Sequence, residues 1–156
     1  MALLASLLFP ACARSGIGAL PPARCLDPQA IVGPKTASSA LAGPARFAPN
    51  PEIETPLHHT PPAMLFADRR KMVAGEKHSY PRAVVRAQLR VDYLVRRAVF
   101  NVPGPVTAQV LAGPGRASAW LALWSRSVYE RSDFGVNRQR VRAWLASLAT
   151  TAAHTK

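Results

Sequence analysis

Five arginines stand within Ser125–Leu148, "SRSVYERSDFGVNRQRVRAWLASL", on a short aromatic and aliphatic frame. Arginine presents a planar fork of donors that fits phosphate oxygens and base edges. Arg126 and Arg131 flank Tyr129, and Arg138, Arg140 and Arg142 follow Asn137 at alternate positions. Asn137 reads as the N-cap of a last helix, because its side-chain oxygen can accept from free backbone donors. Val141, Trp144, Leu145 and Leu148 then form its apolar stripe. Three cations in the first turns of a helix oppose its dipole, and a nearby anion relieves that opposition. The competing reading is a helix whose arginines face water.

Other chemistries find little support in the sequence. The acids after residue 63 are Asp68, Glu76, Asp92, Glu130 and Asp133, and they show no paired-carboxylate spacing. There is no Ser/His/Asp set, dinucleotide fingerprint or phosphate-binding loop. "GPGR" at 113–116 reads as a helix break, since the lysine and hydroxyl residue of a phosphate loop are missing. Cys12 and Cys25 are not in a CxxC pair, and the four histidines lack zinc-ligand spacing. The expectation is a non-enzyme with no cofactor, no metal and no small-molecule substrate.

The elements that must position the arginines divide the chain unevenly. The net charge is +12 over 156 residues. Residues 1–63 carry four basic and three acidic groups, whereas residues 64–156 carry sixteen and five. Eleven of the fifteen prolines lie in the first 63 residues. Proline removes donors and fixes φ, so that part cannot form long helices. Residues 1–30 have no acid before Asp27 and are rich in Leu, Ala, Ser and Arg. That is the composition of a mitochondrial transit peptide. A secretory signal is the rival, with "ALLASLLF" as its apolar region and "ACA" as its cleavage site. Residues 31–62 read as a proline-rich extended or disordered segment, and 63–156 as a basic helical RNA-binding domain. No apolar run approaches the roughly 20 residues needed to span a bilayer.

Helices are expected over Ala63 to about Val73, over 82–100, over Val106–Leu111 and in "RASAWLALWSRSVYER". In 82–100, Val84, Ala87, Val91, Leu94, Val95, Ala98 and Val99 share one face at 100° per residue. No alternating strand-like run stands out. Alanine supplies much of the apolar content and buries little area. The expected fold class is mainly α: a small helical unit with an extended proline-rich tail and little independent core.

The stretches "RSVYE" (126–130) and "FGVNRQRVRAWLA" (134–146) resemble the C-terminal part of the bacterial-type small-subunit ribosomal protein fourteen family, its mitochondrial members above all. Arg126, Ser127, Val128 and Tyr129 match its Arg-Ser-Val-Tyr-like stretch. Phe134, Arg138, Arg142, Leu145 and Ala146 fall near its second part, with Asn137 at its capping serine. "DRRKMVA" (68–74) is similar to its early basic run, and "VDYLVRRAVFNVPGPV" to its long first helix and following turn. "WLALWS" stands where the family has its Asn-Arg-Cys and Thr-Gly-Arg elements.

The resemblance implies a structural component of the mitochondrial small ribosomal subunit, in the matrix. Its partners would be ribosomal RNA and neighbouring ribosomal proteins in a large assembly. The expected RNA-binding residues are Arg69, Arg70, Lys71, Arg126, Tyr129, Arg131, Arg138, Arg140 and Arg142. The alternative is an accessory helical subunit of a mitochondrial inner-membrane respiratory or ATP synthase complex, with 82–100 lying on anionic lipid or a partner helix.

Overall fold

The computed structural model of the chain describes residues 38–45, 51–97, 102–127 and 133–153. Its centre is a six-stranded mixed sheet. The strands are β1 (Ser39–Gly43), β2 (Ile53–Glu54), β3 (Ser79–Val85), β4 (Arg90–Arg96), β5 (Pro103–Ala112) and β6 (Ala119–Arg126). Their order across the sheet is β2-β1-β6-β5-β4-β3. The strands β3 to β6 form an antiparallel meander, β1 joins the outer side of β6 antiparallel, and β2 runs parallel to β1. The described helices are α1 (Pro62–Ala74) between β2 and β3, and α2 (Val136–Ala153) after β6, with a single 3-10 turn at Arg86–Gln88.

This corrects the expectation of a mainly α fold. The stretch 82–100 is not one helix: it supplies most of β3, the 3-10 turn and β4. "RVDYLVR" carries β-branched and aromatic residues that suit a pleated surface. Its Val91, Tyr93 and Val95 enter the main core, while Arg90, Asp92, Leu94 and Arg96 lie on the other face and are also buried. The expected helix at Val106–Leu111 lies inside β5, and "AWLALWSR" is β6. Pro103 is the first residue of β5, a position where a strand tolerates the missing donor.

Both helices cover one face. The core between them and the sheet takes Ala40 and Ala42 from β1, alternate residues of β4, β5 and β6, Leu65, Phe66 and Val73 from α1, and Val141, Trp144 and Leu148 from α2. That continuous core also corrects the expectation of little independent core. On the opposite face Trp120, Leu111 and Ala122 form a smaller cluster with Leu57 against it. The 31–62 stretch, expected to be extended or disordered, contributes β1 and β2, and His58 bridges to Ala119 at the start of β6. The expected transit peptide at 1–30 lies outside the described residues.

Sheet edges are kept short or irregular. β2 is two residues long. β3 carries Pro81 and a register shift between Pro81 and Ala83. Proline and a bulge on an edge strand hinder pairing with another chain.

Candidate nucleic-acid interface

The loop before α2 is built by Asp133. Its Oδ1 accepts from the Gly135 N–H at 3.0 Å and its Oδ2 from the Asn137 N–H at 2.6 Å. Its carbonyl accepts from the Val136 N–H at 3.1 Å. Phe134 (φ 53°) and Gly135 (φ 80°) both sit in the left-handed region, and Phe134 is 93% exposed. A left-handed phenylalanine is uncommon and costly, so the Asp133 bonds must hold this turn. Asp133 also places a carboxylate at the positive end of the α2 dipole.

Asn137 is therefore not the N-cap. It lies inside the first turn of α2, 1% exposed, and clamps the helix to the sheet. Its Nδ2 donates to the Ser38 carbonyl at 2.8 Å and to Ser127 Oγ at 3.1 Å. Its Oδ1 accepts from Ser125 Oγ at 2.6 Å and from Arg140 Nη1 at 2.9 Å. Arg140 Nη1 donates to Ser125 Oγ as well, at 3.0 Å. Gly104 in β5 leaves the space these groups need. A Cβ there would lie 3.2 Å from the Arg126 carbonyl oxygen and 3.2 Å from Arg140 Nη1.

The nine expected RNA-binding residues now separate by position. Arg138 is exposed, and its Nε and Nη2 donate to Glu52 Oε2 at 3.1 and 2.6 Å. Arg142, one turn on, is exposed on the same side of the helix. Arg140 is half-buried and turned toward Ser125 and Asn137. Arg126 at the end of β6 stacks over Trp124, its guanidinium carbon 4.7 Å from the ring centroid. Burial holds Arg126 below the usual arginine range, and Asp92 partly offsets this. On α1, Lys71 is exposed and Arg70 lies 5.9 Å from the Phe66 ring. Arg69 is 0% exposed and turned into the core, so it offers no surface to a polynucleotide. Tyr129 and Arg131 lie outside the described residues.

The structure thus brings Arg126, Arg138, Arg140 and Arg142 to one region, the junction of β6 and α2. It also answers the dipole argument locally. Asp133 caps the helix, Glu52 holds Arg138, and Ser125 with Asn137 holds Arg140, so two of the three cations are met within the protein. Gly104 and Asp133 also belong to this junction, and neither is given a site role by the sequence reading. The signal available for Asp133 was the Asp-x-Gly run directly before a helical stripe, a turn-forming pattern.

No protein-family model, no curated protein and no solved structure matches the chain. No helix among the described residues is long and apolar enough to cross a membrane.

Proposed function

We propose that this chain is a non-catalytic RNA-binding component of a large ribonucleoprotein, the small subunit of the mitochondrial ribosome. The observation that carries the reading is the excess of exposed bases over exposed acids among the described residues. Asp92 is buried and accepts from the Thr107 hydroxyl at 2.8 Å, and Asp133 is buried beneath the start of α2. Glu52 is 14% exposed at the side chain and bonded to Arg138. The exposed described acids are Glu54, Asp68 and Glu76, against the exposed bases Lys71, Lys77, Arg86, Arg116, Arg138 and Arg142. Among the described residues, exposed bases therefore outnumber exposed acids six to three. Such a surface gains affinity for RNA by releasing counterions. Asp92 and Asp133, the buried carboxylates an acid–base mechanism would recruit, already serve the sheet and the helix cap. The particular assembly rests on the Arg126–Ala146 resemblance and on the composition of residues 1–30.

The test is binding to small-subunit ribosomal RNA fragments across a salt series. Affinity should fall steeply as salt rises. Replacing both Arg138 and Arg142 by alanine should reduce the log–log salt slope by about 1–2, whereas Arg82→Ala should change it less. A slope unaltered by the double substitution would sink the assignment of this surface.

A further inference from the structure

Phe134 is the most exposed large apolar side chain among the described residues, at 93% against 57% for Met64 and 38% for Val84. It is also held at φ 53°, in the left-handed region, where a residue with a β-carbon is strained. A surface phenylalanine in that conformation costs the fold twice, once in backbone strain and once in hydration of its ring. Glycine avoids both costs, and the chain uses glycine at the next position, Gly135, at φ 80°. Neither buried apolar cluster takes the Phe134 ring. A strained residue whose ring is displayed rather than packed points to a use outside the fold.

The turn is built to hold that display. Asp133 accepts from the Gly135 and Asn137 N–H groups with its two carboxylate oxygens and is itself 2% exposed. Its charge is used beneath the turn and does not face what the ring meets. The neighbouring cations lie further out. Arg97, directly after β4, donates from Nη2 to the Asp133 carbonyl at 3.4 Å. That bond sets a guanidinium against the peptide joining Asp133 to Phe134. Arg138 follows Phe134 by one helical turn, with Glu52 as its acid partner. The other exposed apolar residues belong elsewhere: Val84 pairs with Val91 near the start of β4, whereas Arg97 follows its end, and Met64 is on α1. Among the described residues the ring is an aromatic point beside cations, and no part of a contiguous apolar patch.

That combination fits single-stranded nucleic acid. An unpaired base brings a flat face for the ring and phosphates on either side for a guanidinium. A protein partner would call for apolar neighbours around the ring, a packed and water-free centre. We propose that Phe134 is a stacking platform for one unpaired base of the bound RNA, with Arg97 beside it for the adjoining phosphate. This rests on the RNA-binding reading above and adds to it the kind of RNA met at this point, an unpaired nucleotide rather than a duplex. Because the Asp133 bonds fix the turn beforehand, little ordering is lost when the base arrives.

The test compares the full chain with its Phe134→Gly and Phe134→Tyr variants by fluorescence anisotropy on two labelled polyanions. One is oligouridine, whose bases are unstacked, and the other is inorganic polyphosphate, which has none. Phe134→Gly should bind oligouridine about tenfold more weakly, the worth of one base stacked on a ring, and polyphosphate as the wild type does. Its salt slope on oligouridine should be unchanged, because no cation is removed. Phe134→Tyr keeps the ring and should keep the affinity. Phe134→Gly should also melt at or above the wild-type Tm, since released strain offsets the added freedom of the unfolded chain. A lower Tm marks the ring as structural and overturns the proposal, as does an equal loss on both probes. Steeply salt-dependent binding of oligouridine by the wild type, matched by Phe134→Gly, overturns the platform and leaves the RNA reading standing. A wild type that binds neither probe overturns both.

Discussion

Replacing Trp144 by alanine is expected to lower the free energy of unfolding by roughly 3–5 kcal/mol, the usual cost of removing a large aromatic from a core. Trp144 is 4% exposed. It meets Tyr93 edge-to-face, with centroids 5.9 Å apart and planes at 81°. It also carries the Arg69 guanidinium on its face, so truncation removes the stack from a buried cation as well as leaving a cavity. The effect should sit at the upper end of that range, a large share of the stability of a domain this size. Urea unfolding followed by far-ultraviolet circular dichroism reads it. A loss of less than about 1 kcal/mol, the level of a surface change, would mean that α2 does not rest on β4 as described.

The second large effect is Asn137→Ala, with an expected loss of roughly 2–4 kcal/mol. The change removes side-chain bonds to Ser38, Ser125, Ser127 and Arg140 at once. It leaves the buried Ser125 hydroxyl proton on β6 without its acceptor, and one such unsatisfied group costs about 1–3 kcal/mol. Arg138→Ala is the useful contrast. It deletes an ion pair whose arginine side chain is 54% exposed, worth at most about 1 kcal/mol. If both substitutions cost the same in a denaturant titration, Asn137 is not the clamp that joins α2 to the sheet.

The two helices were legible because their surroundings announce them. Pro61 and Pro62 precede an apolar stretch at α1, and Val141, Trp144 and Leu148 repeat at helical spacing in α2. The sheet was hidden for physical reasons. β4 is buried on both faces: "RVDYLVR" alternates except at Leu94, and its Val91, Leu94 and Val95 also fit a helical stripe. In β6 both faces are apolar as well, with Leu121 and Leu123 in the main core and Trp120 and Ala122 in the smaller one. The turn between β3 and β4 uses no Gly, Asn or Pro. It closes on Leu89 at φ 47°, a left-handed leucine that no turn rule anticipates. With that signal absent, the helix-forming Arg, Ala, Gln and Leu of 86–90 joined two strands into one apparent helix.

The candidate site was legible in part. The grouping of Arg138 and Arg142 follows from helical spacing alone. The inward turn of Arg140 depends on Gly104 and Ser125, which reach it only through the sheet. Arg69 and Arg70 are adjacent in sequence, yet one is sealed in the core and the other lies at the surface of α1. A basic run does not disclose which of its members the helix turns inward.

Sedimentation of the tagged full chain from mitochondrial extract tests the central claim most directly. The prediction is co-migration with the small ribosomal subunit, sensitive to ribonuclease and to high salt, and weakened by Arg138→Ala with Arg142→Ala more than by Arg82→Ala. Migration with an inner-membrane complex, indifferent to ribonuclease, would contradict it.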